Sequence, residues 1–248
     1  MTYPKIELHV HLEGTVRPGL LLRIARRNDA RLPVRTEREL HELYRFRDFS
    51  HFIEIYTLTV NVLRAERDFR DVVCAYAAEA KAHGAVYIEA TFGPTDAVRA
   101  GASWEETFTG YCDGAQEAWE EHGVSVNLFP DIGRQFTLEE AEKGGRARHP
   151  VSRPRGGRPR ARRTGVVASL NEHPLPALMA HGVPCSLSTD DPAMFDTDLG
   201  REYETAVDRL GLSPRDFFEA GARGAVCDDD TRAWLRDIGA AYDWAAVR

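Results

Sequence analysis

Three times this chain repeats one order of events: a helical pattern, the dipeptide His-Gly, then a short apolar strand. The copies run through His83-Gly84 into residues 85–92, through His122-Gly123 into 124–130, and through His181-Gly182 into 183–189. Helices that end in glycine and feed buried strands are the signature of βα units, which assemble as a parallel sheet or barrel. The same geometry gives His83, His122 and His181 a structural job. At a helix C-terminus an imidazole can meet the last carbonyls and the negative end of the dipole. In a βα barrel those junctions lie at the bottom, whereas chemistry sits at the C-terminal ends of the strands.

Around that rhythm the apolar spacing predicts helices over residues 16–28, 66–83, 104–121, 174–180, 199–210, 213–225 and 229–243. Pro18 and Pro214 fall in first turns, and Ser213 is placed as a cap. Residues 36–48 are polar around Leu40, Leu43 and Phe46, a helix and loop outside the strand series. Phe49, Phe52, Ile53 and Tyr56 then recur at helical spacing and are expected to pack in the core.

The strand ends are where the informative residues lie. In Pro4-Lys5-Ile6-Glu7-Leu8-His9-Val10-His11-Leu12-Glu13-Gly14 two histidines stand two residues apart. On an extended strand such side chains leave from the same face and can close on one metal ion. Gly14 is expected to let the backbone turn sharply just beyond them. A His-x-His pair alone is as compatible with surface or core packing. The second cluster, Ser188-Thr189-Asp190-Asp191-Pro192, ends the last strand and supplies carboxylates. Imidazole with carboxylate is the usual ligand set of a hydrolytic zinc.

Together these two stretches resemble the opening and closing motifs of the adenosine deaminase family of metal-dependent aminohydrolases, over roughly residues 3–142 and 164–248. The resemblance implies a TIM-type (β/α) barrel and hydrolytic deamination of a 6-aminopurine compound: adenosine, adenine or aminodeoxyfutalosine. It carries zinc ligation onto His9, His11 and Asp190, and substrate contacts onto Glu13, Gly14 and Asp191. It also implies that part of the aromatic stripe at residues 49–56 walls the mouth of a substrate pocket. Classical adenosine deaminases carry aspartate where Glu13 stands, so the glutamate looks more like the adenine and aminodeoxyfutalosine deaminases. The family's His-Ala-Gly-Glu motif, which brings a third histidine ligand and the proton-donating glutamate, does not occur in this sequence, nor does the later orienting histidine. His149 and His173, the histidines nearest the gap, lack the needed context, and the catalytic acid is left unassigned.

Counting strands locates the loss. Residues 5–11, 85–92, 124–130 and 183–189 correspond to the first, second, third and eighth strands, so the fourth to seventh are expected to be absent. Between the two family-like parts, 1–142 and 164–248, runs the stretch 143–163, which holds nine of the 32 basic residues and no acidic one. Four glycines and three prolines deny it a core, so it is expected to be a disordered junction. Such Arg, Gly and Pro content is also what GC-rich codons yield when read in another frame. A polyanion contact is the competing reading of an Arg-rich run. No aromatic residue is interleaved for base stacking, and the rest of the chain carries 23 basic against 39 acidic residues, so nucleic acid is not the expected partner.

The remaining bulk features agree with a small-molecule enzyme or its remnant. A net charge of −7 over 248 residues suits a soluble protein. Cys74, Cys112, Cys185 and Cys227 form no C-x-x-C pair and read as reduced, buried thiols of a cytoplasmic protein. No apolar run reaches the ~18 residues of a membrane helix. With half a barrel missing, a catalytically inactive remnant is the alternative to an enzyme. It would act as a binding protein or self-associate through exposed barrel edges.

Overall fold

The computed structural model describes residues 3–131 and 169–247. Three parallel strands, β1 (Lys5–His11), β2 (Ala85–Phe92) and β3 (Ser125–Pro130), stand side by side in chain order. A 3₁₀ turn (Leu12–Thr15) and helices α1 (Pro18–Arg27), α2 (Glu37–Leu43), α3 (Phe49–Val60) and α4 (Glu66–Ala82) lie between β1 and β2. The crossover from β2 to β3 holds α5 (Pro94–Arg99) and α6 (Trp104–His122). After the undescribed stretch come α7 (Leu175–Ala180), α8 (Leu199–Glu204) with a π-helical turn over Thr205–Arg209, α9 (Pro214–Gly224) and α10 (Asp229–Ala241).

Local chemistry accounts for most boundaries. Thr36 with Glu39 and Ser103 with Glu106 form capping boxes at the starts of α2 and α6. Asp48, Ser213 and Asp228 cap α3, α9 and α10 through their side-chain oxygens. Alpha-6 ends on Gly123 at φ 61°, the left-handed conformation in which glycine carries no Cβ penalty.

The sheet is covered on both faces. On one side Val10, Ile88, Ala90 and Phe92 pack among Phe69, Val73, Tyr76 and Tyr111 of α4 and α6. On the other, Ile6 and Tyr87 meet Phe218 and Ala222 of α9 and Leu235 of α10. Polar groups fasten this second layer. Glu89 on β2 accepts a hydrogen bond from the Val226 backbone N–H at 2.5 Å, and Asn127 on β3 donates to the Val226 carbonyl at 2.5 Å.

The expected elements are present with four corrections. The 183–189 stretch forms no strand; an isolated parallel bridge between Val10 and Asp190 follows just after it. Pro184 has no N–H to offer, and the Thr189 N–H goes to the Glu7 carboxylate rather than to a strand. The aromatic stripe of α3 is not all core. Phe49 is 74% and Ile53 43% exposed, while Phe52 stacks on Phe195. A helix lying on the rim of the sheet has only one covered side. Of the thiols expected to be buried only Cys185 is; Cys112 is exposed and Cys74 and Cys227 are half-buried. Of the three helix-end histidines, His181 meets the Ala177 carbonyl through Nδ1 at 2.7 Å. The His83 ring turns instead to Asp198 at 3.5 Å, and buried Lys5 donates to the His83 carbonyl at 2.6 Å. The His122 ring lies 4.0 Å from the Glu121 carboxylate. The expected junction at 143–163 and His149 lie outside the described residues.

Helices α4 and α6 touch through glycine. A Cβ on Gly110 would stand 2.1 Å from the Glu66 carbonyl oxygen and 2.9 Å from the Phe69 Cβ. Alanine is favoured over glycine within a helix by about 1 kcal/mol, but overpacking against backbone costs about 1–3 kcal/mol or more. Gly110→Ala is therefore expected to destabilise the fold, seen as a lower urea midpoint at unchanged m-value. A raised midpoint would mean that the two helices are not in backbone contact.

Candidate metal centre

Beyond β1 the chain turns at once through Leu12–Thr15, and this turn is buried throughout. The 188–191 stretch comes alongside from the far end of the sequence. Backbone hydrogen bonds from the His11 N–H to the Asp190 carbonyl (2.7 Å) and from the Asp190 N–H to the His9 carbonyl (3.3 Å) join the two. Ala193 N–H closes the junction on the Gly14 carbonyl at 3.0 Å.

These contacts gather the side chains that the sequence singles out. His9 Nε2 lies 3.0 Å from Asp190 Oδ1, and His11 Nδ1 lies 3.5 Å from the same oxygen. His11 Nδ1 also meets Asp191 Oδ1 at 3.1 Å. The two rings stand edge to face with centroids 4.8 Å apart. His9, His11 and Asp190 each offer one donor atom such that all lie within 4.8 Å of one another, the one such grouping of three among the described residues. Both imidazoles are about 30% exposed, whereas the Asp190 and Asp191 side chains are buried. Burial alone would lower the His11 pKa, but the Asp191 hydrogen bond and the charges of Asp191, Asp190 and Glu13 outweigh it and raise the value to about 9.

Glu13 and Gly14 occupy the same turn. The Glu13 carboxylate, 1% exposed, accepts hydrogen bonds from the Gly93 N–H (2.9 Å), the Tyr111 hydroxyl (3.1 Å) and the Tyr56 hydroxyl (3.1 Å). It ties the turn to the end of β2, to α6 and to α3 together. Burial pushes its pKa above the ordinary carboxylate value. Gly14 is needed for a different reason than the turn itself. Its φ is not in the left-handed region, but a Cβ there would lie 2.1 Å from Asp191 Oδ1 and 2.8 Å from the Asp191 Cα.

Several supporting groups carry no recognisable motif. Glu7, Tyr76 and Thr189 form a buried hydrogen-bonded cluster directly behind Asp190. Arg17 binds the Glu79 carboxylate and donates to the carbonyls of Pro192 (3.2 Å) and Thr197 (2.7 Å), fixing the loop that follows Asp191. A charged residue within a strand otherwise bound for burial is the one sequence signal that points to Glu7. His173 accepts from the Leu175 N–H at 3.1 Å at the start of α7 and does not join the grouping.

With this geometry in place, the comparisons with known proteins are specific. The adenosine deaminase family model matches residues 4–144 and 161–241. An aminodeoxyfutalosine deaminase of Acidothermus cellulolyticus is 39% identical over 329 aligned positions, covering 97% of this chain and 92% of that protein. An adenine deaminase of Streptomyces coelicolor is 38% identical over 141 residues, which is 57% of this chain and only 42% of that protein. Among solved structures, adenine deaminase from Arthrobacter aurescens superposes with a TM-score of 0.84 at 23% identity, covering 96% of this chain and 98% of that one. An amidohydrolase from Burkholderia ambifaria with bound zinc follows at 0.76 and 19% identity, covering 96% and 90%. At such identities these two establish the fold.

Gly14→Ala tests the close approach. The clash is with backbone and Cβ of Asp191, which cannot swing aside, so the substitution is expected to cost about 1–3 kcal/mol or more. It should also increase proteolysis around residues 188–193. Unchanged urea unfolding would show that Gly14 and Asp191 are not in contact.

Proposed function

Since the chain belongs to the adenosine deaminase family, we infer that its chemistry is the metal-assisted hydrolytic removal of an amino group from an aminopurine, with zinc held by His9, His11 and Asp190. The observation that carries this reading is the convergence of two imidazoles and a carboxylate at the end of β1. The set suits zinc. The imidazole donors lie 3.0 and 3.5 Å from Asp190 Oδ1, and all three donor atoms fall within 4.8 Å of one another, close enough to be ligands of one ion. When bound, such an ion supplies Lewis acidity and activates water for attack on the ring carbon that bears the amino group.

The chain's own residues do the rest. Asp191 stands beside His11 and is placed to orient the incoming groups by hydrogen bonding. Glu13 and Gly14 line the turn against which the substrate would rest. An adenine-type or aminodeoxyfutalosine-type substrate is favoured over adenosine, because Glu13 stands where classical adenosine deaminases carry aspartate. The relative named for aminodeoxyfutalosine is 39% identical over 97% of this chain, and one named for adenine 38% identical over 57% of it. Phe52 and Phe195, stacked with centroids 5.6 Å apart, would form an aromatic wall at the mouth.

Barrel strands four to seven are taken to be missing between residues 1–142 and 164–248. Alignment with the Acidothermus protein supports this, since 329 aligned positions exceed the 248 residues of the chain by 81. With them go the His-Ala-Gly-Glu glutamate and the orienting histidine. General acid–base help is typically worth ~10²–10⁴ in rate, so turnover is expected to fall by at least that factor below an intact relative. A second reading, association without turnover, is favoured by one observation: among the described residues β3 pairs only with β2, leaving an open edge.

Metal analysis of the purified chain, with ammonia release from aminodeoxyfutalosine, adenine and adenosine, tests both readings. One zinc per chain, abolished in Asp190→Ala, with weak or no ammonia release is expected. Absence of stoichiometric zinc at saturating metal would remove the metal reading. A defined oligomer in sedimentation without turnover would favour association.

A further inference from the structure

Glu7 is fully buried on β1, two residues before His9. A carboxylate so placed must be satisfied internally, and the groups that satisfy it are informative. Glu7 Oε1 accepts two hydrogen bonds from one residue, Thr189, from its backbone N–H at 2.6 Å and from its hydroxyl at 2.6 Å. Glu7 Oε2 accepts from the Tyr76 hydroxyl of α4, which also lies 3.0 Å from the Thr189 hydroxyl oxygen. The carboxylate therefore fastens one particular residue of the returning chain, the one directly before Asp190.

That fastening lies one residue before Asp190, whose carboxylate faces both imidazoles. The 183–189 stretch has no ladder, and Asp190 joins β1 through two backbone hydrogen bonds, one of them 3.3 Å long. Asp190 also has φ 68°, in the left-handed region that residues with a Cβ adopt only sparingly. The two hydrogen bonds to Thr189 therefore restrain the residue immediately before that left-handed one. His9 and His11 follow Glu7 on the same strand, so β1 carries two of the candidate ligands and the anchor of the third.

We propose that Glu7 is the positioning residue of this centre: by gripping Thr189 it sets the Asp190 carboxylate between His9 and His11. The proposal rests on the metal reading above only for its consequence in metal affinity; the grip itself is a property of the metal-free chain.

The test uses the full-length chain with Glu7→Gln, Thr189→Val and Thr189→Ser. Glutamine keeps the shape of Glu7 but replaces one of its two acceptor oxygens with a donor amide. Valine removes only the Thr189 hydroxyl, and serine restores it. Zinc affinity is read by competition with a chromophoric chelator, and amide hydrogen exchange is read at residues 189, 190 and 11 against residues 88 and 90 of β2. Loss of an outer-shell partner typically costs ~10–100-fold in metal affinity. Such a loss is expected in Glu7→Gln and a smaller one in Thr189→Val, with Thr189→Ser close to wild type. Exchange should quicken at 189, 190 and 11 and stay unchanged at 88 and 90.

Folded Glu7→Gln and Thr189→Val variants with wild-type zinc affinity and unchanged exchange would overturn the proposal, as would quickened exchange spread evenly over the sheet. If Glu7→Gln does not fold, Thr189→Val carries the comparison. Should the wild-type chain take up no zinc, the metal reading falls, and the exchange data alone decide whether Glu7 holds Asp190.

Discussion

The structure depends on one junction, where the end of β1 meets a stretch about 180 residues further along the chain. Three kinds of force act there within a few residues. Backbone hydrogen bonds join His9 and His11 to Asp190, the buried Glu7 carboxylate grips Thr189, and Gly14 lets the Asp191 backbone come into contact. Loop-closure entropy grows only with the logarithm of loop length, so bringing such distant segments together costs little more than joining nearer ones. What the junction requires is geometric exactness at its ends, and it obtains this from buried polar groups rather than from a long ladder.

Around that junction the sheet is stabilised from both faces by different means. Alpha-4 and α6 cover one face with apolar side chains and touch each other through Gly110 and Gly114, where backbone and Val73 leave no room for a Cβ. The face towards α9 and α10 is smaller and mixes apolar packing with the Glu89 and Asn127 hydrogen bonds to Val226. A buried polar clamp of that kind fixes register, because its groups are costly to leave unpaired. The loop after α9 is thereby tied to β2 and β3 through Val226. Gly221 contributes by allowing Ile6 to press against α9, a Cβ at that position falling 2.9 Å from the Ile6 Cβ.

Most of this architecture was legible in the sequence, because the signals were periodic. The three His-Gly endings marked α4, α6 and α7, and β1, β2 and β3 fall within a residue of their apolar runs. The His9, His11, Asp190 and Asp191 cluster was legible as well, since strand ends converge in a parallel fold. What escaped depends on partners that sequence does not print. Residues 183–189 have the composition of a strand, but a strand exists only where a neighbour supplies a ladder, and here the decisive N–H of Thr189 is taken by a side chain. Phe49 and Ile53 follow helical spacing, but spacing cannot reveal whether a second layer covers them. Gly14 was read as conformational freedom, whereas the structure uses it as space. Glu7 stood in plain view within the opening motif, yet a buried acid declares its role only through its hydrogen-bond partners.

The electrostatics of the centre give the gathered residues a direction. Asp190 and Asp191 lie within hydrogen-bonding reach of the two imidazoles, and Glu13 is buried close enough to act on His11. If both histidines were neutral, negative charge would accumulate in a volume from which water is largely removed, where repulsion between carboxylates is poorly screened. The chain answers in two ways. Burial raises the Glu13 carboxyl above the ordinary carboxylate value, and Asp191, Asp190 and Glu13 raise His11 to about 9, so that it holds a proton at neutral pH. A single proton offsets one charge. A divalent cation at the same point would offset two and accept lone pairs from both imidazoles, but it can enter only as His11 gives up that proton, since the imidazolium has no lone pair to donate. The clustering of acids around His9 and His11 thus does two opposed things: it makes a cation welcome and makes the imidazole slow to part with the proton that stands in its place. The hold on that proton comes first from Asp191, through its hydrogen bond and its charge, with Asp190 and Glu13 adding to it.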